Sequence, residues 1–239
     1  MLQNITYLYG KKLGATDGDI GHVKDVYFDD KTWAIRYIVA DTGSWLTGRK
    51  VLLAPAAFGL FTFGEGDSEN HLLRVNLTRK QIEESPAMES HLPVSRQFEE
   101  EYHRYYGWPS YWQDTASWSG AQLPAFIPPV MEAAVEREAL VPRADLHLRS
   151  TRELTGYRVM ASDGPAGTVR SFVAHQRTWM IREMVVEAGH WYAGKEVLVL
   201  PEYVKDINAE EATVTITLSR QDVKDTRRND VAQVGAGSA

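Results

Sequence analysis

The chain has 239 residues, a formal net charge of −6, 44% hydrophobic and 24% charged residues, and no cysteine. These figures fit an ordinary globular chain of one or two domains. They exclude disulfides, thiolate metal sites and cysteine nucleophiles, and the negative balance disfavours nucleic acid and anionic membranes as general partners.

No stretch approaches about 18 apolar residues, so no membrane-spanning helix is expected. Residues 1–10 lack a basic n-region, so no secretory signal is expected and the cytoplasm is the expected location. In chain order, Leu13-Gly14 and the turn Asp17-Gly18-Asp19 lead into a run with Val23, Val26 and Phe28 that reads as a strand over 20–28. After Asp29-Asp30-Lys31, residues 33–40 alternate, with Ile35, Tyr37 and Val39 on one face and Arg36 opposite, which predicts a second strand. Gly43 and Gly48 mark turns, 50–54 is a short apolar strand closed by Pro55, and a glycine-rich loop over 59–70 precedes an alternating strand with Leu73, Val75 and Leu77. Thr78-x-x-Gln81 has the pattern of a capping box and predicts a short helix ending before Pro86.

The next segment, 86–150, differs in character. Residues 96–106 are charged and suit a helix stopped by Gly107 and Pro109. Aromatic residues crowd this region: Tyr102, Tyr105, Tyr106, Trp108, Tyr111, Trp112 and Trp118. Leu123-Pro124, Ile127-Pro128-Pro129 and an acidic, helix-prone run over 130–140 complete an extended connector.

The first plan then returns. Asp17, Gly18, Gly21, Val23, Thr32, Trp33, Ile35, Arg36, Val39, Gly43, Trp45, Gly48, Val51, Leu52 and Pro55 recur at a constant spacing of 146 residues (163 − 17), from Asp163 to Pro201. This is an internal duplication. The matching strands are 169–173, 179–187, 196–200 and 212–218, with Ser219-x-x-Asp222 as the matching helix start. By the last strand the spacing is 141 (218 − 77), which places five extra residues in the 59–70 loop. Each copy has about 75 residues, and a unit that small is marginal alone, so the copies are expected to pack on each other or on a partner. Short strands with almost no helix bury both faces best by curling into a small barrel. The expected fold is all-β: two tandem small barrels, over 1–85 and 151–228, each with a short C-terminal helix, joined by the aromatic, Pro-rich, partly helical connector 86–150. A disordered tail over 229–239 is also expected.

Both copies resemble the PRC-barrel, the domain named for the cytoplasmic part of the photosynthetic reaction centre H subunit. The residues that carry the resemblance are the Asp-Gly-x-x-Gly turns at Asp17 and Asp163, the strand entries Thr32-Trp33 and Thr178-Trp179, and the closes Gly48 to Pro55 and Gly194 to Pro201. The connector run Phe98 to Pro109 is similar to that of tandem PRC-barrel proteins of bacteria. The resemblance implies a small barrel that binds protein: in the reaction centre it caps a membrane complex, and in a ribosome-maturation factor it contacts a ribosomal protein.

Trp45 and Trp191 follow glycines in loops, and Trp108, Tyr111 and Trp112 crowd the connector. These five are the candidate protein-interface residues, because tryptophan and tyrosine anchor interfaces well. Trp33 and Trp179 are expected to pack at barrel ends, and the connector rings between the barrels. No catalytic residue, cofactor or metal site is expected. Glu100-x-x-His103 has metal-ligand spacing but occurs once, and His190 has Ser44 as its counterpart. The expected role is a non-catalytic adaptor whose partner is a protein, including the cytoplasmic face of a membrane complex, with self-association as a further expectation. The rivals are an RNA-processing or ribosome-maturation factor, for which Lys11-Lys12, Arg49-Lys50 and Arg227-Arg228 are the short basic candidates, and an enzyme with a site between the barrels.

Overall fold

The computed structural model describes residues 2–58, 72–86, 96–108, 147–189 and 195–225. Two separate antiparallel-rich sheets account for most of them, one per copy. The first copy contributes β2 (Lys12–Ala15), β3 (Gly18–Asp29), β4 (Ile35–Asp41), β5 (Lys50–Leu53) and β6 (Leu72–Arg74), in the order β5-β4-β3-β2-β6. The second contributes β8 (Arg158–Ala161), β9 (Gly164–His175), β10 (Met180–Ala188), β11 (Glu196–Val199), β12 (Val204–Asn208) and β13 (Thr213–Ile216), in the order β11-β10-β9-β8-β13-β12. In both, the strand before the Asp-Gly turn pairs in parallel with the last barrel strand: β2 with β6 and β8 with β13. Each sheet curls around an apolar interior, and among the described residues no ladder joins its two ends.

Two further strands cross between the copies. β1 (Leu2–Asn4) pairs with β9 of the second copy, and β7 (Leu148–Ser150), from the end of the connector, pairs with β3 of the first. The registers match under the duplication: Leu2 faces His175 as Leu148 faces Asp29. Each exchanged strand completes an edge of the long strand that its own barrel leaves uncovered.

The duplicated glycines have a steric cause. Gly21 has φ +126° and Gly167 φ +154°, and a Cβ at either would lie 2.0 Å from the carbonyl oxygen of Asp41 or Glu187. Only a residue without a side chain lets the neighbouring strand approach so closely. The helix starts also repeat. Thr78 and Gln81 form the full capping box of α1 (Arg79–Glu83), and Ser219 and Asp222 exchange the same reciprocal bonds at the head of the helix over 220–225. Asp17 accepts from the Arg79 amide at 2.7 Å and Asp163 from the Arg220 amide at 2.9 Å, so each Asp-Gly turn also caps the helix that ends its copy.

One face assignment differs from the sequence expectation. Phe28 pairs with Ile35 but Tyr27 with Tyr37, so Arg36 is the extra residue of a β-bulge. Ile35 therefore turns into the barrel, while Tyr37 and Val39 turn outward. The bulge recurs at Arg182, between Ile181 and Glu183. A simple period-two reading fails where one residue is inserted.

Candidate protein-interaction surface

The surface between the copies is made by the repeated Thr-Trp turns. Ile35 donates to the Trp179 carbonyl at 2.7 Å and Ile181 to the Trp33 carbonyl at 2.8 Å, a reciprocal pair across a pseudo-two-fold axis. Both tryptophans are buried at positive φ, 59° and 55°. A bulky residue there costs on the order of 1–3 kcal/mol and is held by its surroundings. Asp29 braces the first turn by accepting from the amides of Lys31 and Thr32; His175 does the same work in the second by accepting from Thr178. Between the turns, Phe28 lies 5.5 Å from Phe172 and Phe58 5.3 Å from Trp179, so one apolar core runs through both barrels. The interior of the seam is filled by the barrels' own rings.

Polar groups close the seam's rim. Asp25, on β3, accepts from Ser150 Oγ at 2.5 Å, Thr151 Oγ1 at 3.4 Å and the Arg152 amide at 3.3 Å, all at the head of the short helix α3 (Thr151–Leu154). Burial raises its pKa despite these bonds. Thr151 also donates to the Val26 carbonyl and lies 2.8 Å from Tyr9 OH, whose pKa burial pushes up to about 12. In the second copy the place of Asp25 is taken by Ser171, which accepts from Asn4 Nδ2 at 2.9 Å. The seam is thus pinned by a carboxylate on one side and a neutral pair on the other.

Helix α2 (Arg96–Tyr106), ended by Gly107 at φ +67°, lies on the outward face of the first sheet. Its Tyr102 is fully buried against Tyr37, at 5.9 Å and nearly perpendicular, with Val39, Leu52 and Ala54 in the same cluster. His103 is buried, its Nε2 3.1 Å from Tyr37 OH. Tyr106 stacks on Trp108 at 4.4 Å and 13°, and Leu148 of β7 closes the cluster. Burial raises the Tyr102 phenol well above its ordinary pKa, so it stays neutral. Arg49 ties the end of α1 into this region, donating to the carbonyls of Glu83 and Ser85.

Of the five residues singled out from sequence, Trp108 is half-buried in this aromatic cluster and Trp45 is half-buried against the barrel core beneath Arg79, whose guanidinium lies 4.5 Å from the ring. Both pack against the edge of the same apolar core. Trp191, Tyr111 and Trp112 lie outside the described residues, as do the glycine-rich loop at 59–70, the run at 130–140 and the tail at 229–239. The described connector rings pack on the outer face of the first barrel instead of between the barrels. Sequence reasoning missed Tyr37, Val39, Leu52 and Asp25 as contact residues; the only available signal was that β4 is apolar at nearly every position, the mark of a strand covered on both faces. A shallow depression of about 280 Å³, lined by Gly10, His22, Lys24, Asp41 and Arg152, lies beside the seam, and within it Lys24 is paired with Asp41 at 3.0 Å. Among the described residues there is no cluster of three or more histidines or carboxylates able to hold a metal ion, and no helix long and apolar enough to cross a membrane.

Residues 5–80 match the family described as PRC-barrel domain, so the first copy is a PRC-barrel domain. No curated protein matches the chain.

Proposed function

We propose that this chain, built on a PRC-barrel domain and an internal copy of its plan, is a non-catalytic protein-interaction module that serves assembly. The observation that supports this most is helix α2 on the first sheet. A segment foreign to the barrel is held on the outer sheet face by Tyr37, Val39, Leu52 and Ala54 through ring and aliphatic packing. The outer face of this fold is therefore suited to taking a helix, and a fused two-barrel core is a rigid platform for doing so. The partner is a protein, with the cytoplasmic face of a membrane complex as one setting. The aromatic core between the barrels favours this reading over an enzyme with a site in the seam, since Phe28, Phe172, Phe58 and Trp179 occupy that space.

The test is retention of a defined protein at fixed stoichiometry by the full chain, from native extract and then with purified components. Trp45→Ala, Trp108→Ala and Trp191→Ala serve as variants. A partner that binds the wild type saturably supports the module; retention of no partner, or turnover of a small molecule by the purified chain, overturns it.

A further inference from the structure

The duplication supplies an internal control for surface charge. Four residues stand side by side across the first sheet: Lys12 on β2 faces His22 on β3, His22 faces Asp41 on β4, and Asp41 faces Lys50 on β5. The row lies on the outer sheet face just beyond the seat of α2, since Val39 and Leu52, the next outward residues of β4 and β5, belong to that seat. Lys24, the extra residue of a bulge in β3, reaches Asp41 at 3.0 Å. Arg152 of α3 lines the depression of about 280 Å³ together with His22 and Lys24, its guanidinium 4.6 Å from the Tyr9 ring. Four cations thus gather about one carboxylate, in a chain whose net charge is −6. Asp41 is taken by Lys24; Lys12, Lys50 and Arg152 form no ion pair among the described residues. Asp25, also on β3, is turned to Ser150 and Thr151.

In the second copy the matching row is Arg158, Thr168, Glu187 and Glu196, aligned in the same way. Arg170 pairs with Glu187 at 2.7 Å as Lys24 does with Asp41, and Thr6 stands at the place of Arg152. Two cations meet two carboxylates, so this row is neutral. The ion pair at the bulge is common to both copies, while the surplus of positive charge is confined to the first.

We propose that the row of Lys12, His22 and Lys50, with Arg152 beside it, docks an acidic segment of a partner protein. This rests on the interaction-module reading and assigns its recognition site. Lysine and arginine are donors only, so the ligand must bring negatively charged acceptors. Three strand spacings separate Lys12 from Lys50, about 14 Å, which an extended chain covers in about four residues. The ligand is therefore a segment whose acidic side chains lie about four residues apart and straddle Asp41. A nucleic acid fits less well, because its closely spaced phosphates would lie against Asp41. A second copy using the same row across a two-fold axis would set Lys12 and Lys50 against their own images. The chain's own run at 130–140 carries Arg137 among Glu132, Glu136 and Glu138, and a row of lysines does not favour that cation.

The test titrates a fluorescent octaglutamate peptide into the purified full chain and follows anisotropy. Saturable binding that weakens as salt rises is expected. Lys12→Gln, Lys50→Gln and Arg152→Gln combined should weaken it at least tenfold. Lys31→Gln, Arg177→Gln and Lys205→Gln combined, which remove the same charge from exposed positions elsewhere, should change it by less than about twofold. Lys12→Gln alone, at an exposed position, should weaken it about threefold and decides the matter if the first triple variant melts early. The photo-crosslinker p-benzoylphenylalanine at position 22, irradiated in native extract, should join a segment of another protein with acidic residues about four apart. A synthetic peptide of that segment should depend on the same three cations. No binding of octaglutamate, equal loss in both triple variants, or cross-links to nucleic acid, to a second copy, to residues 130–140 or to nothing overturn the proposal. If the chain retains a stoichiometric partner that is indifferent to the first triple variant, this assignment fails and the module reading stands; if nothing is retained, both fall.

Discussion

Tyr102→Ala probes the contact from which the functional reading is built. Tyr102 is fully buried between the first sheet and the rings of Tyr106 and Trp108. A tyrosine buries roughly 150–250 Å², which at about 25 cal/mol per Å² corresponds to about 4–6 kcal/mol; aromatic-to-alanine substitutions in cores cost about 3–5 kcal/mol. An isolated 11-residue helix is marginal in water. The loss therefore exceeds what holds α2 on the sheet, and α2 detaches while the two-barrel core, which buries its own rings, stays folded. Hydrogen exchange should show loss of protection over 101–108 with the amides of β9 and β10 unchanged, and a hydrophobic dye should bind the bared strip. Unchanged protection of α2, or collapse of both barrels together, would refute the argument.

Gly21→Ala and Gly167→Ala each force a Cβ to 2.0 Å from a carbonyl oxygen, so strands must separate; each is expected to lower Tm by ten degrees or more on the scale of about 2–4 °C per kcal/mol, read by calorimetry. The raised pKa of Asp25 means that the folded chain holds this proton more tightly than the unfolded one. Its contribution to stability is therefore greatest at low pH and declines as pH rises from about 3.8 through the folded pKa. The Tm of Asp25→Asn relative to wild type should accordingly climb between pH 3.5 and 7; a flat or falling difference contradicts the assignment. Thr78→Ala removes the capping box of α1 and should cost about 1 kcal/mol in denaturant unfolding, with no change in cooperativity.

Much of this architecture could be read from residue patterns, and the parts that could not have identifiable causes. The bounds of α2 were legible because Gly107 ends a charged, helix-favouring run, and both helix starts were legible because Thr78-x-x-Gln81 and Ser219-x-x-Asp222 announce themselves locally. The outward turn of Tyr37 was not, because a bulge at Arg36 leaves no mark on the alternation. Nor were β1 and β7, whose three residues acquire a strand partner only through the other copy. Asp17 and Asp163 read as local turn formers, yet each caps a helix 62 or 57 residues further along the chain. For the candidate surface, the aromatic crowding was visible from Tyr102 to Trp108, but the sheet face that receives it depends on long-range register.

The crossing of β1 and β7 bears on how the two halves can exist at all. Either half, made alone, would carry a three-residue arm with nothing to clasp and a long strand with a bare stretch of backbone, and the readiest remedy for both is a second molecule of itself. A half-length chain should consequently be found as a mutual-embrace dimer. Fusing the halves in one polypeptide replaces a concentration-dependent association with an internal one, and leaves the two outer faces at liberty to diverge in what they hold.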